Sequence, residues 1–150
     1  PAHLDYLMRH LALPTTSSKG TALHASLDKL VEYAGRMGLV VIASDLLDLH
    51  EDALDPVARI QARGHQTVVL HVMDPAELDL PFEQPMRFEG VEGEPFVEVD
   101  PKGIRRAYRE AIDAFVETSQ QRVVAAGARY MLARTDVPPE HVLLQLLRDR

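Results

Sequence analysis

Three short stretches hold the side chains that could do chemistry. They are Ser44, Asp45, Asp48 and His50; His71 and Asp74; and Arg134, Thr135 and Asp136. Asp45, Asp48 and His50 can be read as a metal cluster. Oxygen donors suit Mg²⁺ or Ca²⁺, and an imidazole shifts the preference toward transition metals. The spacing matches no established ligand motif. The competing reading makes Asp48 and Asp52 solvated loop acids near a helix N-terminus, where negative charge is mildly favourable. Asp45 differs, because it sits directly at the end of an apolar run. It is either a functional group or the acceptor of an Asx-turn that orders the loop. His71 and Asp74 stand just ahead of Pro75. With Asp45 they could supply acid/base or metal groups to a small α/β hydrolase or transferase, but no nucleophile accompanies them. A loop-bracing hydrogen bond is the alternative. Thr21 either caps a helix or gives its hydroxyl to a metal or anion, and the two roles are compatible. His3, His10, His24, His65 and His141 show no pairing at ligand spacing and read as surface positions.

The elements that must position these groups follow from periodicity. Leu4, Leu7, Met8 and Leu11 make one face of a first helix, His3 to Leu13, ended by Pro14. Leu23, Leu27, Leu30, Val31 and Ala34 form the stripe of a second, after Thr21. Gly38 to Ser44 is short, apolar on both faces and β-branched, as a parallel strand covered on both sides would be. Gln66 to Val72 and Arg129 to Ala133 repeat that pattern. Asp55-Pro56 and Asp100-Pro101 look like N-caps followed by proline at the first helical position. The helix after Asp100 carries Ile104, Tyr108, Ile112, Phe115 and Ser119, and a last helix turns Val142, Leu143, Leu146 and Leu147 inward. Asp74 to Pro85 reads as irregular, and Met86 to Val99 as a hairpin turning at Gly90 and Gly93. Strands alternating with helices predict an α/β fold: three parallel strands layered by helices, joined by right-handed crossovers, with an inserted β-hairpin. In such sheets function gathers at the C-terminal strand ends, which is where the three stretches fall.

Composition narrows the function classes. The chain has 150 residues, the size of one domain, and a net charge of −7 from 16 basic and 23 acidic residues. The acidic balance argues against a nucleic-acid partner. Zero cysteines exclude disulfides, thiolate nucleophiles and zinc–thiolate sites. No apolar run approaches the ~20 residues of a membrane span, and none has the order of a signal peptide. No phosphate-binding glycine loop or nucleophile elbow is present. The chain opens at Pro1 without a methionine and reads as an excised piece.

Gly38 to Asp48, Arg63 to Leu78, Val99 to Pro101 with Tyr108 to Glu110, and Tyr130 to Asp136 together resemble the domain-of-unknown-function 58 family. The resemblance runs from about residue 15 to the C-terminus. It implies a von Willebrand factor A-like fold and a cytoplasmic protein-interaction module, not an enzyme. It also implies a partner among MoxR-type AAA+ ATPases. The related fold binds a divalent ion through an Asp-x-Ser-x-Ser loop, a threonine and an aspartate. Thr21 looks like that threonine and Asp45 like that aspartate, while the Asp-x-Ser-x-Ser element is nowhere in this chain. The expectation is therefore a C-terminal half of a larger domain. Its metal site would be partial and empty here, with Mg²⁺ completing it only in a longer protein. Ser44, Asp48, His71 and Asp74 would then form an interaction rim beside Asp45. A further consequence is that the strand Leu39 to Ala43 loses a neighbour. Its unpaired edge would template association, most simply as a two-fold dimer. The alternative is that the first helix covers it.

Overall fold

The structure is a computed structural model describing residues 5, 6, 9, 23–33, 35, 37–47, 49–50, 52–89 and 95–148. The expected first helix lies outside the described residues, apart from an Arg9–Asp5 ion pair of 3.1 Å, four residues apart. Thr21, Asp48, Gly90 and Gly93 lie outside them too.

The described chain order is α1 (Leu23–Tyr33), β1 (Leu39–Ser44), α2 (Asp55–Ala62), β2 (Gln66–Met73), α3 (Pro75–Asp79), β3 (Met86–Phe88), β4 (Val97–Val99), α4 (Pro101–Ala125), β5 (Arg129–Arg134) and α5 (Pro139–Arg148). β1, β2 and β5 form one parallel sheet in the order β1-β2-β5. β3 and β4 make a separate antiparallel pair. The predicted mixed α/β architecture is the one observed.

Strand residues alternate between faces, so Val68 and Val69 enter different cores. Val69, with Ile42 of β1, packs against Leu27 and Val31 of α1, Val57 and Ile60 of α2 and Val123 of α4. Val68, with Met131 of β5, packs against Leu146 and Val142 of α5. β2 is thereby covered on both sides, but β1 is not. Val40 and Ile42 face the larger core, whereas Leu39, Val41 and Ala43 are exposed. This corrects the expectation of a β1 covered on both faces. α5 reaches over β2 and β5 only, and nothing described continues that layer across β1. Leu143, expected inward, is 52% exposed, because α5 turns Val142 and Leu146 to the sheet instead.

The helix caps divide the Asp-Pro steps. Asp100 caps α4, its side chain accepting from the Lys102 amide at 3.1 Å. Asp55 does not cap α2. The cap residue is Leu54, with no side-chain hydrogen bond, and Asp55 is already helical. Asp74 caps α3 with a full capping box: its carboxylate accepts from Ala76 N, and Glu77 accepts from the Asp74 amide. α3 thus forms within Asp74 to Pro85, where the sequence pattern predicts irregular structure.

Ile60 has no exposed surface while Tyr33 is 83% exposed. Ile60→Ala should therefore cost about 2–5 kcal/mol in urea unfolding, and Tyr33→Ser no more than about 0.5 kcal/mol. Equal effects would contradict the packing described.

Candidate functional site

Parallel pairing brings the C-terminal ends of the three strands together. Ser44 sits opposite His71, His71 opposite Leu132, and Met73 opposite Arg134. Each strand then leaves the sheet through a turn held by its own polar side chains.

At the end of β1, Ser44 Oγ accepts from the Leu46 amide at 3.1 Å and Asp45 Oδ1 from the Leu47 amide at 3.2 Å. The second bond is the Asx-turn weighed above. Leu46 adopts a left-handed φ of 57° and is buried in the core. That conformation costs a non-glycine residue about 1–2 kcal/mol, and burying a leucine side chain offsets it with about 1.5–3 kcal/mol. Asp45 itself is exposed. Farther along, Arg122 of α4 donates to the carbonyls of Leu49 and His50, fastening the loop that follows.

At the end of β2, His71 and Asp74 part company. The structure places the His71 side chain inside the molecule, fully buried, not on an exposed rim. Its Nδ1 lies 2.8 Å from the Tyr130 hydroxyl, and its ring meets the edges of Phe115 and Tyr130 at 5.4 and 5.8 Å. Nε2 has no hydrogen-bond partner. Burial holds the imidazole below its ordinary value of 6.5, which the main chain and carboxylate of Asp45 and the charge of Glu77 oppose. Burial also pushes the Tyr130 phenol up to about 12. Asp74, by contrast, faces solvent. Its second oxygen accepts from Thr135 Oγ1 at 2.6 Å. The bonds from Thr135 and Ala76 hold its carboxyl below the usual carboxylate range. The bracing hydrogen bond expected of Asp74 exists, but it runs to β5's exit turn and not to His71.

The exit turn of β5 completes the rim. Thr135 N donates to the Met73 carbonyl at 3.1 Å, and Arg134 grips Asp136 through two bonds of 3.0 and 2.9 Å. That pairing keeps Asp136 low and Arg134 high. α4 fastens the far side. Tyr108 donates to the Glu77 carbonyl, Arg109 to Asp79, and Arg105 to the carbonyls of Leu80 and Phe82.

Among the described residues, no three histidine, aspartate or glutamate side chains come together as a metal-binding group. Among the described residues Asp45 thus belongs to no such group, and those residues alone do not supply the near-octahedral oxygen shell that Mg²⁺ demands. The hydrogen bonds of Asp74 run to Thr135 and Ala76, and that of His71 Nδ1 to Tyr130. The partner of His71, Tyr130, pairs in register with Val69 two residues before it, and the partner of Asp74, Thr135, directly follows β5. Only strand pairing reveals them.

Residues 1–122 match the family described as "protein of unknown function DUF58". The chain belongs to the DUF58 family. The matched segment is N-terminal in the chain, which corrects the C-terminal placement of the resemblance; Tyr130 to Asp136 lies beyond it. No curated protein and no solved structure matches this DUF58 chain.

The buried imidazole sets a pH dependence. Unfolded, His71 titrates near 6.5; folded, it titrates lower. Between those values the unfolded state binds more protons, so stability rises with pH there. His71's contribution is complete above about 6.5 and is lost as pH falls. Urea unfolding from about pH 5 to 7 should show that slope, and His71→Phe should flatten it. An unchanged slope in the variant would contradict the assignment.

Proposed function

We propose that this chain is a protein-interaction module and that β1 is its contact element. The observation that carries the reading is the state of β1. It pairs with β2 alone among the described strands, and Leu39 and Val41 on its bare face are 36% and 44% exposed. An apolar strand with an unpaired edge is a template for a second chain. The Ser44–Asp45 turn and the Asp74–Thr135 contact continue that surface at the C-terminal end of the sheet. Ser44, Asp45, Asp74 and Thr135 are there engaged in holding turns, which suits a presented surface better than a reaction centre.

The finer reading is a von Willebrand factor A-like module in a cytoplasmic setting, with a MoxR-type AAA+ ATPase as partner and self-association when that partner is absent. No helix among the described residues is long and apolar enough to cross a membrane. Asp45 would serve a metal only with further oxygen ligands from outside the described residues, Thr21 first among them.

Two measurements test this. Sedimentation equilibrium should show concentration-dependent self-association, which Val41→Lys weakens by at least tenfold, about 1.4 kcal/mol. A monodisperse monomer at high concentration would overturn the β1 reading. Calorimetric titration of the chain with Mg²⁺ should give no tight isotherm. A tight one abolished by Asp45→Ala would show that the ligands are already present.

A further inference from the structure

β3 and β4 stand apart from the parallel sheet, each pairing only with the other among the described strands. A lone two-stranded hairpin is at best marginally stable in water. This one is moored by two contacts. The rings of Phe82 and Phe88 meet edge-on at 6.0 Å, and Asp100, directly after β4, caps α4.

Alternation gives the hairpin two unlike faces. Register sets Met86 opposite Val99 and Phe88 opposite Val97 on an apolar face, and Arg87 opposite Glu98 on the other. The apolar face is not closed: Phe88 is 38% and Val97 56% exposed. On the charged face Arg87 is already engaged. Its guanidinium lies over the Phe96 ring, 3.7 Å from the centroid, and pairs with Glu89 at 2.9 Å. Glu98 is exposed and has no ion pair among the described residues.

Charge says what kind of chain fits. Residues 86–99 hold four glutamates, Glu89, Glu92, Glu94 and Glu98, against Arg87 alone, a net −3 within a chain of −7. A second copy is thereby disfavoured, because β4 set antiparallel against itself about Glu98 brings like charges together. The same carboxylates repel nucleic acid and anionic membrane surfaces. A strand that carries lysine or arginine is attracted.

We propose that the outer edge of β4 binds an extended segment of a partner protein in which apolar and basic residues alternate. Strand addition supplies main-chain hydrogen bonds, and the alternate side chains supply specificity. The segment's apolar residues pack beside Val97 and Val99, while a basic residue on the other face meets Glu98. β4 suits this role better than β3, since its charged residue is the one still unpaired. An added strand also gives the hairpin the third member that a stable small sheet needs. This edge is distinct from β1, and the proposal does not rest on the β1 reading.

The test is fluorescence anisotropy of the full chain with a labelled octapeptide of alternating lysine and valine, mapped by ¹H–¹⁵N NMR. Saturable binding is expected, with shifts centred on residues 86–88 and 96–99. The same peptide with glutamate for lysine should not bind. A peptide of equal composition, with its lysines and valines in separate blocks, should bind at least about tenfold more weakly. Glu98→Lys should weaken binding about tenfold, about 1.4 kcal/mol. Val97→Thr, which keeps a β-branched side chain, should weaken it severalfold. Glu98→Gln, which only removes the charge, gives the answer if the lysine variant fails to fold. Equal binding of the alternating and block peptides would overturn the proposal, since it shows charge attraction without an added strand. So would binding of the glutamate peptide, no saturable binding, or unchanged affinity in the Glu98 variants. Shifts centred on Leu39–Ser44 would also overturn it, because they assign the peptide to β1.

Discussion

β2 is the one strand among the described residues with a neighbour on each edge and a core on each face, and the rest of the molecule is arranged by that fact. Its main chain holds β1 on one side and β5 on the other. Val69 draws α1, α2 and α4 to one face, and Val68 draws α5 to the other. Parallel sheets occur almost only where both faces are shielded. β2 meets that condition fully, and β1 meets it on one face. The difference between the two strands is the main asymmetry of the fold, and the functional reading rests on it.

The strand ends show a second constraint. Chains leaving a parallel sheet must satisfy main-chain groups that the ladder no longer serves. Here the task falls to the residues that looked chemical. Ser44 and Asp45 hold one turn, Asp74 starts α3, and Thr135 ties that helix to β5. His71 Nε2 at this end of the sheet, like His65 Nε2 and Thr67 Oγ1 at the other, is buried without a hydrogen-bond partner.

Much of the fold was legible because period and punctuation agree. β2 reads as a two-faced buried strand and is one, and Asp100-Pro101 opens a 25-residue helix. α3 escaped the reading although Asp74-Pro75 carries the same signal with a glutamate at the third helical position, because its five residues show no apolar stripe. Asp55 carried the signal without the role, since Leu54 takes the cap position there. β1 departs from its sequence pattern for a different reason. Its apolar sequence records what could be buried, not which neighbours are there to bury it. The candidate site was legible as a location but not as a set of contacts. The pairings His71–Tyr130 and Asp74–Thr135 span 59 and 61 residues and exist only through strand register.

The central claim is that β1 is open along one edge until a second chain meets it. Amide hydrogen exchange, resolved by residue and compared between dilute and concentrated protein, tests this most directly. The account predicts that alternate amides of Leu39–Ser44 exchange quickly in the dilute monomer and slow on association, while those of Val68–Met73 stay protected in both. Amides of β1 as protected as those of β2 in the monomer would contradict it.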